Sequence, residues 1–203
     1  MNLLFVCTGN TCRSPMAEAL LKFKNNDIDV RSAGIFAGDG QPLSEGTDHV
    51  LSEMGLSFNH SSTSVNEDLL KWADVVLTMT DKHKQTLALQ YPEEQTKFYT
   101  LKEYVLIDEE HWQQLKNLYT SFEEKRIFHL SNMEEDLTEA EVEKRLRKEL
   151  SNEIKVIQQL EAEIPSLNIT DPYGKSVQVY RETRDELNEH IDLLLKKLSN
   201  KNN

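Results

Sequence analysis

Residues 5–21, FVCTGNTCRSPMAEALL, join an apolar run to a helical pattern and contain both cysteines of the chain. Residues 3–6 lead into this segment, and their unbroken apolar character is typical of a buried β-strand. After Pro15, the apolar side chains of Met16 and Leu20 fall on one face, as in an amphipathic helix. The segment therefore predicts a strand, a short loop and a helix, the unit from which α/β folds are built.

The loop of this unit, which begins at Cys7, has the features of an anion-binding site. Gly9 and Asn10 tolerate unusual backbone angles, and Ser14 followed by Pro15 predicts the N-cap and first residue of the helix. The N–H groups of a tight turn and the positive end of a helix favour a phosphate, and they also favour a thiolate. We therefore expect Cys7 to be a nucleophile.

The spacing C-x5-R-S adds a second charged group to the loop. The planar guanidinium of Arg13 can hold two oxygens of an anion, and the Ser14 hydroxyl can donate to the sulfur of Cys7. The alternative is that Cys7 is a small buried hydrophobic residue and Arg13 a surface charge, but the strand, glycine, proline and helix signals coincide. Cys12 is expected to pack, with a disulfide to oxidised Cys7 as a further hypothesis.

A cysteine that takes up a phosphoryl group also needs a proton donor for the leaving group. The sequence DPYG at residues 171–174 offers a carboxylate on a stiff turn, because Pro172 restricts the backbone and Gly174 allows the turn. Taken alone, Asp-Pro is ordinary turn chemistry. Together with the cysteine loop, it makes Asp171 the candidate general acid.

Composition excludes several other classes of function. The chain has 203 residues, enough for one domain with a core, and a formal net charge of −12. The sequence has no basic stripe that could release counterions from phosphates, so we expect no nucleic-acid partner. Its apolar runs are too short for a membrane span or an export signal, and we expect a cytoplasmic protein without a membrane partner. Two cysteines and six scattered histidines suggest neither a disulfide framework nor a metal site.

The pattern along the chain is that of an α/β protein. Four apolar runs, separated by segments with helical spacing, predict strands at residues 3–6, 30–36, 75–79 and 98–105. Because strands and helices alternate, we expect a parallel sheet. Residues 177–198 repeat the amphipathic pattern and predict a C-terminal helix.

Residues 106–168 differ in composition from the rest of the chain. Residues 134–163 carry ten acidic and five basic side chains and predict one long helix, whose start is marked by a capping box of Thr138 and Glu141. An upstream set with helical spacing consists of Trp112, Leu115, Tyr119 and Phe122. We expect a helical hairpin that turns near Ser131, inserted in a single domain of residues 1–203; a partly disordered loop is the alternative. The hairpin is a candidate site for a protein partner.

The motifs VCTGNTCRSP, residues 6–15, and DPYG before the last helix are arranged as in low-molecular-weight protein tyrosine phosphatases, which this sequence resembles. RSAG at residues 31–34 and ADVVLTMT at residues 73–80 are also similar to that family. The resemblance covers roughly residues 1–105 and 169–198, so the hairpin differs from the family pattern. It implies an α/β fold with a four-stranded parallel sheet flanked by helices, a loop-stabilising role for Asn10 and acid/base duty for Asp171. The implied phosphate loop consists of Cys7, Thr8, Gly9, Asn10, Thr11, Cys12, Arg13 and Ser14.

Thr11 points to one branch of that family. Tyrosine-specific members usually have a bulky aliphatic residue after the loop asparagine, and the bacterial protein-arginine phosphatases have threonine. TLKEYV at residues 100–105, RETRDEL at residues 181–187 and Tyr173, an expected substrate-binding residue, also resemble the arginine-phosphatase branch. A hydroxyl suits the polar phosphoarginine better than a methyl group does, and Asp171 can pair with its guanidinium. The alternative for Thr11 is a neutral residue at the rim of the pocket.

These features predict a protein phosphatase that needs no metal or cofactor and hydrolyses phosphoarginine in proteins through a phosphocysteine, with phosphotyrosine as the alternative substrate. The expected catalytic residues are Cys7, Arg13 and Asp171, and the expected partners are phosphorylated proteins. A thiol-dependent arsenate reductase is disfavoured, because such enzymes relay electrons through further cysteines that this chain lacks. An adaptor that binds phosphate groups without turnover is disfavoured, because all three catalytic residues are in place.

Overall fold

Residues 1–107, 109–133, 137–163 and 166–201 are described by the structure, which is a computed structural model. The elements follow in chain order as β1 Asn2–Cys7, α1 Arg13–Lys24, β2 Asp29–Gly34, α2 Glu45–Ser52, α3 Glu67–Trp72, β3 Val75–Thr78, α4 Asp81–Gln90, a 3₁₀ helix Pro92–Lys97, β4 Phe98–Thr100, α5 Leu101–Leu106, α6 Glu109–Ser131, α7 Glu139–Glu149, α8 Ser151–Glu163 and α9 Val177–Lys201. The strands form one parallel sheet in the order β2-β1-β3-β4. The predicted four-stranded parallel sheet is confirmed, and the first three strands have nearly the predicted bounds.

Strand β1 lies inside the sheet, between β2 and β3. The register pairs Cys7 with Gly34 of β2, and Val6 with Thr78 of β3. Because parallel strands end at the same edge of a sheet, these residues lie together at the carboxyl edge. Open α/β sheets bind their ligands at this edge.

Helices cover both faces of the sheet, and alternate residues of β1 point to opposite faces. Leu3 and Phe5 belong to the cluster that contains buried residues of α1, α2, α5 and α9. Leu4 and Val6 belong to a second cluster, which contains residues of α3 and α4. A strand buried on both faces reads as a continuous apolar run, and this explains the pattern of residues 3–6.

The fourth strand is shorter than predicted, because β4 ends at Thr100 and a helix follows. The prediction of a strand over residues 98–105 is therefore wrong after Thr100. The physical reason is a capping box, in which Thr100 Oγ1 accepts a hydrogen bond from the Glu103 N–H at 3.0 Å and Glu103 Oε2 accepts one from the Thr100 N–H at 2.9 Å. Lys84 Nζ donates to both oxygens of the buried Glu103 carboxylate, at 2.9 and 2.7 Å.

Helix α1 begins earlier than predicted. Its first residue is Arg13 and its N-cap is Cys12, which makes no side-chain capping bond. The prediction of Ser14 as the N-cap is therefore wrong, because Ser14 lies in the first turn and its hydroxyl bonds to groups of the loop. The N–H groups of this first turn have no capping side chain, so they are available to an anion.

The chain divides into two units, one formed by residues 1–106 with the segment from Leu167 onwards, and the other by residues 107–166. The first unit contains the sheet with helices α1 to α5 and α9. The second contains α6, α7 and α8, and α6 packs against both α7 and α8. We call this second unit, residues 107–166, the helical unit.

The helical unit has the predicted helical character and the predicted capping box of Thr138 and Glu141. The single helix predicted over residues 134–163 is wrong, because α7 ends at Glu149 and α8 begins at Ser151. Ser151 belongs to a residue type that competes with the hydrogen bonds of a helix interior. Residues 134–136 of the predicted helix lie outside the described residues. In the described part of the chain, no helix is both long enough and apolar enough to cross a membrane.

Candidate active site

A pocket of about 270 Å³ lies at the carboxyl end of β1. The lining consists of Cys7, Thr8, Gly9, Thr11, Cys12, Arg13, Asp171 and Tyr173. Most of the predicted site residues therefore meet in one cavity, although its two segments are far apart in the sequence. The remaining two, Asn10 and Ser14, are fully buried and do not line the pocket. They support the loop through hydrogen bonds.

Asn10 fixes the shape of the loop. Its φ of 54° lies in the left-handed region, which asparagine tolerates better than most residues with a side chain. Its Nδ2 donates to Ser14 Oγ at 3.0 Å and to Ser32 Oγ at 2.8 Å, and its Oδ1 accepts from the Thr63 N–H at 2.9 Å. The side-chain amide thus ties the loop to α1, to β2 and to the segment that follows α2.

The Cys7 sulfur lies within hydrogen-bond distance of two groups of the loop and of helix α1. Ser14 Oγ lies 3.0 Å from Cys7 Sγ, and the Asn10 N–H donates to the sulfur at 3.3 Å. The single hydrogen of the Ser14 hydroxyl has a second acceptor, Ala33 O at 3.2 Å. A thiolate is a stronger acceptor than a neutral carbonyl, so we expect this hydrogen to point towards the sulfur when Cys7 is ionised.

Arg13 and Asp171 form an ion pair, with Nη2 and Oδ2 2.9 Å apart. The Arg13 side chain is 6% exposed and the Asp171 side chain 53%, so the pocket has a buried cation and an exposed carboxylate. Arg13 Nη1 also donates to Ile169 O at 3.5 Å, whereas its buried Nε has no partner among the described residues. Asp171 Oδ1 accepts from the Tyr173 N–H at 3.2 Å, which closes the turn that the sequence DPYG predicts.

Cys12, Thr11 and Tyr173 occupy different depths of the pocket. Cys12 is 5% exposed, and its thiol donates to Ser44 Oγ at 3.1 Å. Thr11 is half-buried, and its carbonyl oxygen accepts from the Ser44 N–H at 3.0 Å. Tyr173 is 73% exposed and stands at the rim. Cys7 and Cys12 are both free thiols, and a disulfide formed on oxidation stays a hypothesis.

Several residues that shape the site were not predicted from the sequence. The Asn10 carbonyl accepts from His60 Nε2 at 2.7 Å, and Thr63 and Ser44 hold other parts of the loop. These residues come from segments with no motif of their own. Ser32, which accepts a hydrogen bond from Asn10, is the exception, because it lies in the segment RSAG, whose sequence resembles the family.

His83 of α4 is the least expected of these residues. Its Nε2 lies 2.9 Å from Thr8 Oγ1, and its buried Nδ1 has no partner among the described residues. Burial, together with the nearby charge of Arg13, lowers the pKa of His83 from 6.5 to about 4, although Asp171 acts in the opposite direction. His83 is therefore neutral at neutral pH, and it holds the Thr8 hydroxyl without adding a charge to the pocket.

The site brings together a thiol, a buried cation and a carboxylate. The Arg13 guanidinium and the N–H groups at the start of α1, which have no capping side chain, suit the oxygens of a phosphoryl group, and the Cys7 sulfur and the Asp171 carboxylate line the same pocket. The structure shows no cluster of three or more His, Cys, Asp or Glu side chains that could hold a metal ion within the described residues. The fold and the site thus define a cysteine-dependent phosphatase.

Comparison with known proteins identifies the family. The family described as low molecular weight phosphotyrosine protein phosphatase matches residues 2–153. The protein-arginine-phosphatase of Bacillus subtilis strain 168 is 32% identical over 202 residues, which cover 98% of this chain and 97% of that protein. The low molecular weight protein-tyrosine-phosphatase PtpB of Staphylococcus haemolyticus strain JCSC1435 is 43% identical over 105 residues, 52% of this chain and 75% of that protein.

A solved structure shows the same similarity. The YwlE arginine phosphatase from Geobacillus stearothermophilus superposes with a TM-score of 0.68 at 31% identity, covering 98% of this chain and 94% of that chain. This chain belongs to the low-molecular-weight protein tyrosine phosphatase family, and it resembles the arginine-phosphatase branch over nearly its whole length. The family resemblance found in the motifs VCTGNTCRSP and DPYG is confirmed.

Gly34 supplies a first test of the loop geometry. A Cβ atom at Gly34 would lie 2.7 Å from Thr8 O and 2.9 Å from Asn10 N, both backbone atoms. Gly34→Ala should therefore displace the loop and lower kcat on a small aryl phosphate by about tenfold or more. Gly38→Ala is the matched control, because its Cβ would meet only Gln41 Cγ at 3.9 Å, and its rate should equal that of the unsubstituted protein. Full activity of Gly34→Ala would show that the loop does not need this close approach.

His83 supplies a second test, through the pH dependence of stability. The unfolded chain takes up a proton at this side chain near pH 6.5, whereas the folded chain does so only near pH 4. The stability that neutral His83 contributes is therefore complete above pH 6.5 and is lost as the pH falls towards 4. Between pH 7 and pH 5, the urea midpoint of the unsubstituted protein should fall by more than that of His83→Gln. Equal pH dependence of the urea midpoint in the two proteins would contradict the assignment.

Proposed function

We propose that this protein removes phosphate from phosphoarginine residues of proteins through a phosphocysteine intermediate. The observation that supports this most is the single pocket in which Cys7, Arg13 and Asp171 meet Thr11. The similarity to protein-arginine phosphatases over nearly the whole chain supports the same substrate. Phosphotyrosine is the alternative, which the family description and the Staphylococcus relative favour.

In the first step, the Cys7 thiolate attacks phosphorus, and an S–P bond forms as the bond from phosphorus to the arginine nitrogen breaks. The incoming phosphate competes with Asp171 for the guanidinium of Arg13, since both are anions that suit its planar fork. The N–H groups of the loop and of the first turn of α1 hold the other oxygens as charge develops on them. Binding therefore exchanges the ion pair of the free enzyme for one with substrate.

The exchange releases Asp171 for acid and base work. The released carboxyl group, protonated from solvent, donates its proton to the departing nitrogen, which leaves as the guanidinium of arginine. In the second step, the Asp171 carboxylate takes a proton from water, the water oxygen bonds to phosphorus and the S–P bond breaks. Inorganic phosphate and the Cys7 thiolate are the products, and the Ser14 hydroxyl stabilises this thiolate as it leaves.

Thr11 is the residue that we propose to favour phosphoarginine. Thr11 lines the pocket, its carbonyl oxygen accepts the hydrogen bond from Ser44, and its hydroxyl lies 3.7 Å from Cys12 Sγ. The nitrogens of a guanidinium remain polar beside the phosphate, whereas a phenol ring offers only apolar surface there. A hydroxyl suits the first and an aliphatic side chain suits the second.

The test is to compare two substrates on one variant. Thr11→Ile should lower kcat/KM for a phosphoarginine peptide and raise it for a phosphotyrosine peptide of the same sequence, changing their ratio by about tenfold. Phosphate release measures both rates, and Cys7→Ser gives the background, because a serine hydroxyl is scarcely ionised at neutral pH. An equal fall on both peptides would make Thr11 structural. If the unsubstituted protein does not hydrolyse the phosphoarginine peptide, phosphoarginine is rejected as the substrate.

We also propose that residues 106–168 are an insertion in a single phosphatase domain and that they bind protein substrates or partners. All four strands and the helices that cover the sheet come from the rest of the chain, which supports an insertion. The helical unit carries 15 acidic and eight basic side chains, and α6 exposes Ile127 and Phe128. This surface suits a basic, partly apolar protein, whose encounter rate it would raise most at low salt. An inert insertion is the alternative, because loops tolerate long insertions at little cost.

Replacement of residues 108–166 by a short Gly/Ser linker tests this role. The linker leaves Asn168, whose side chain accepts a hydrogen bond from the Asp81 N–H at 2.8 Å. Hydrolysis of a phosphorylated basic protein should slow, and the loss should be largest at low salt, while hydrolysis of a small aryl phosphate stays unchanged. Unchanged rates on both substrates would show that the helical unit is inert.

A further inference from the structure

A second groove, of about 680 Å³, lies next to the active-site pocket, and Tyr173 lines both. Helix α2 forms one wall with Glu45 and Gly46. The loop after Tyr173 and the start of α9 form the other, with Lys175 and Val177, and the Tyr180 ring forms the floor between them. All of these residues lie in the unit that contains the sheet.

The two cavities differ in size in a way that matters for a protein substrate. The active-site pocket, at about 270 Å³, holds one phosphorylated side chain, so the chain on either side of that residue must lie outside it. Tyr173 is 73% exposed at the shared boundary. A polypeptide that passes this ring on leaving the pocket enters the larger groove.

The floor of the groove is rigid. A Cβ atom at Gly46 would lie 2.5 Å from the Tyr180 ring, so the ring packs directly on the backbone of α2. The Tyr180 hydroxyl accepts from Ser44 Oγ at 3.4 Å, and Ser44 Oγ in turn accepts from the Cys12 thiol at 3.1 Å. The floor of the groove and the lining of the active-site pocket are therefore joined by hydrogen bonds.

Two charged side chains face the groove from opposite walls. Nearby Glu53 forms ion pairs with Arg181 and Arg184, and the hydrogen bond from Arg181 is the main reason that the pKa of Glu53 falls to about 2. Glu45 and Lys175 are both exposed, and neither makes an ion pair among the described residues. The lining of the groove thus carries an acidic side chain and His49 on α2 and a basic side chain on the loop before α9, with the Tyr180 ring between α2 and α9, a pattern that suits a peptide better than a small anion.

We propose that this groove binds the residues that adjoin the phosphorylated residue in an extended protein substrate, with Glu45 selecting a basic side chain and Lys175 an acidic one. The proposal rests on the proposed phosphatase function and goes beyond it, because it assigns a preference for sequence around the phosphorylated residue. Charges at the rim of a binding site act mainly on the association of the substrate. We therefore expect the preference for flanking residues to change KM and not kcat.

The test uses three peptides with one central phosphoarginine, flanked by lysines, by glutamates or by alanines, together with the same set containing phosphotyrosine and a small aryl phosphate. Glu45→Lys should raise KM for the lysine-flanked peptides by about fivefold. Lys175→Glu should do the same for the glutamate-flanked peptides. Neither substitution should change kcat or the rate on the aryl phosphate by more than about twofold.

Glu93→Lys is the matched control, because it makes the same change of charge at an exposed position of the 3₁₀ helix, which follows α4 on the opposite face of the sheet. It should leave the order of the peptides unchanged. Equal KM values for the lysine-, glutamate- and alanine-flanked peptides would overturn the groove proposal. The same changes of KM in Glu93→Lys would also overturn it.

The two proposals fail in distinguishable ways. Hydrolysis of the phosphotyrosine set alone would reject phosphoarginine as the substrate, yet the flanking residues would still report on the groove. If no peptide is hydrolysed, the phosphatase proposal falls. The affinity of the labelled peptides for Cys7→Ser, with and without Glu45→Lys, then tests the groove proposal. Affinities that do not depend on the flanking charge would reject the proposal. A fivefold loss of affinity for the lysine-flanked peptide on adding Glu45→Lys would support it.

Discussion

The left-handed backbone of Asn10 is the constraint on which the site depends. The loop can return a backbone N–H to the sulfur at its start only if the chain turns more sharply than most residues allow, and Asn10, at φ 54°, makes that turn between Cys7 and α1. The conformation costs free energy that the amide recovers through its bonds to Ser14, Ser32 and Thr63. One side chain thus decides how α1, β2 and the segment after α2 meet.

The charges of the pocket run against those of the whole molecule. The chain has a formal net charge of −12, yet the group that the pocket must hold is itself an anion. Arg13 supplies a buried cation, the first turn of α1 has no capping side chain, and neutral His83 orients Thr8 without adding a charge. The pocket can therefore hold an anion although the molecule as a whole is acidic.

The sequence predicted those parts of the molecule that depend on neighbouring residues. The strand, loop and helix around Cys7 and the turn at Asp171 follow from local backbone preferences. Most of the residues that line the pocket lie in these segments and could therefore be predicted. The strand predicted over residues 98–105 was wrong after Thr100, because an apolar run alone does not distinguish a strand from a buried helix. The TLKE pattern at residues 100–103 is a capping box, and it was the signal that could have placed the boundary. His60 and His83 could not have been predicted, since their contacts to the loop exist only after distant segments come together.

Ser44 caps α2, donates its N–H to the carbonyl of Thr11, and links Cys12 to Tyr180 through its hydroxyl. Helix stability, the position of Thr11 and the packing of the adjoining groove therefore depend on one small residue. In the evolution of new specificity, a substitution at Ser44 would disturb all three of these contacts. The Thr11 side chain takes no part in the hydrogen bonds to Ser44, so it can be replaced without breaking them. The proposed substrate preference thus rests on a rim side chain whose backbone is held by a hydrogen bond from a residue that tolerates little change.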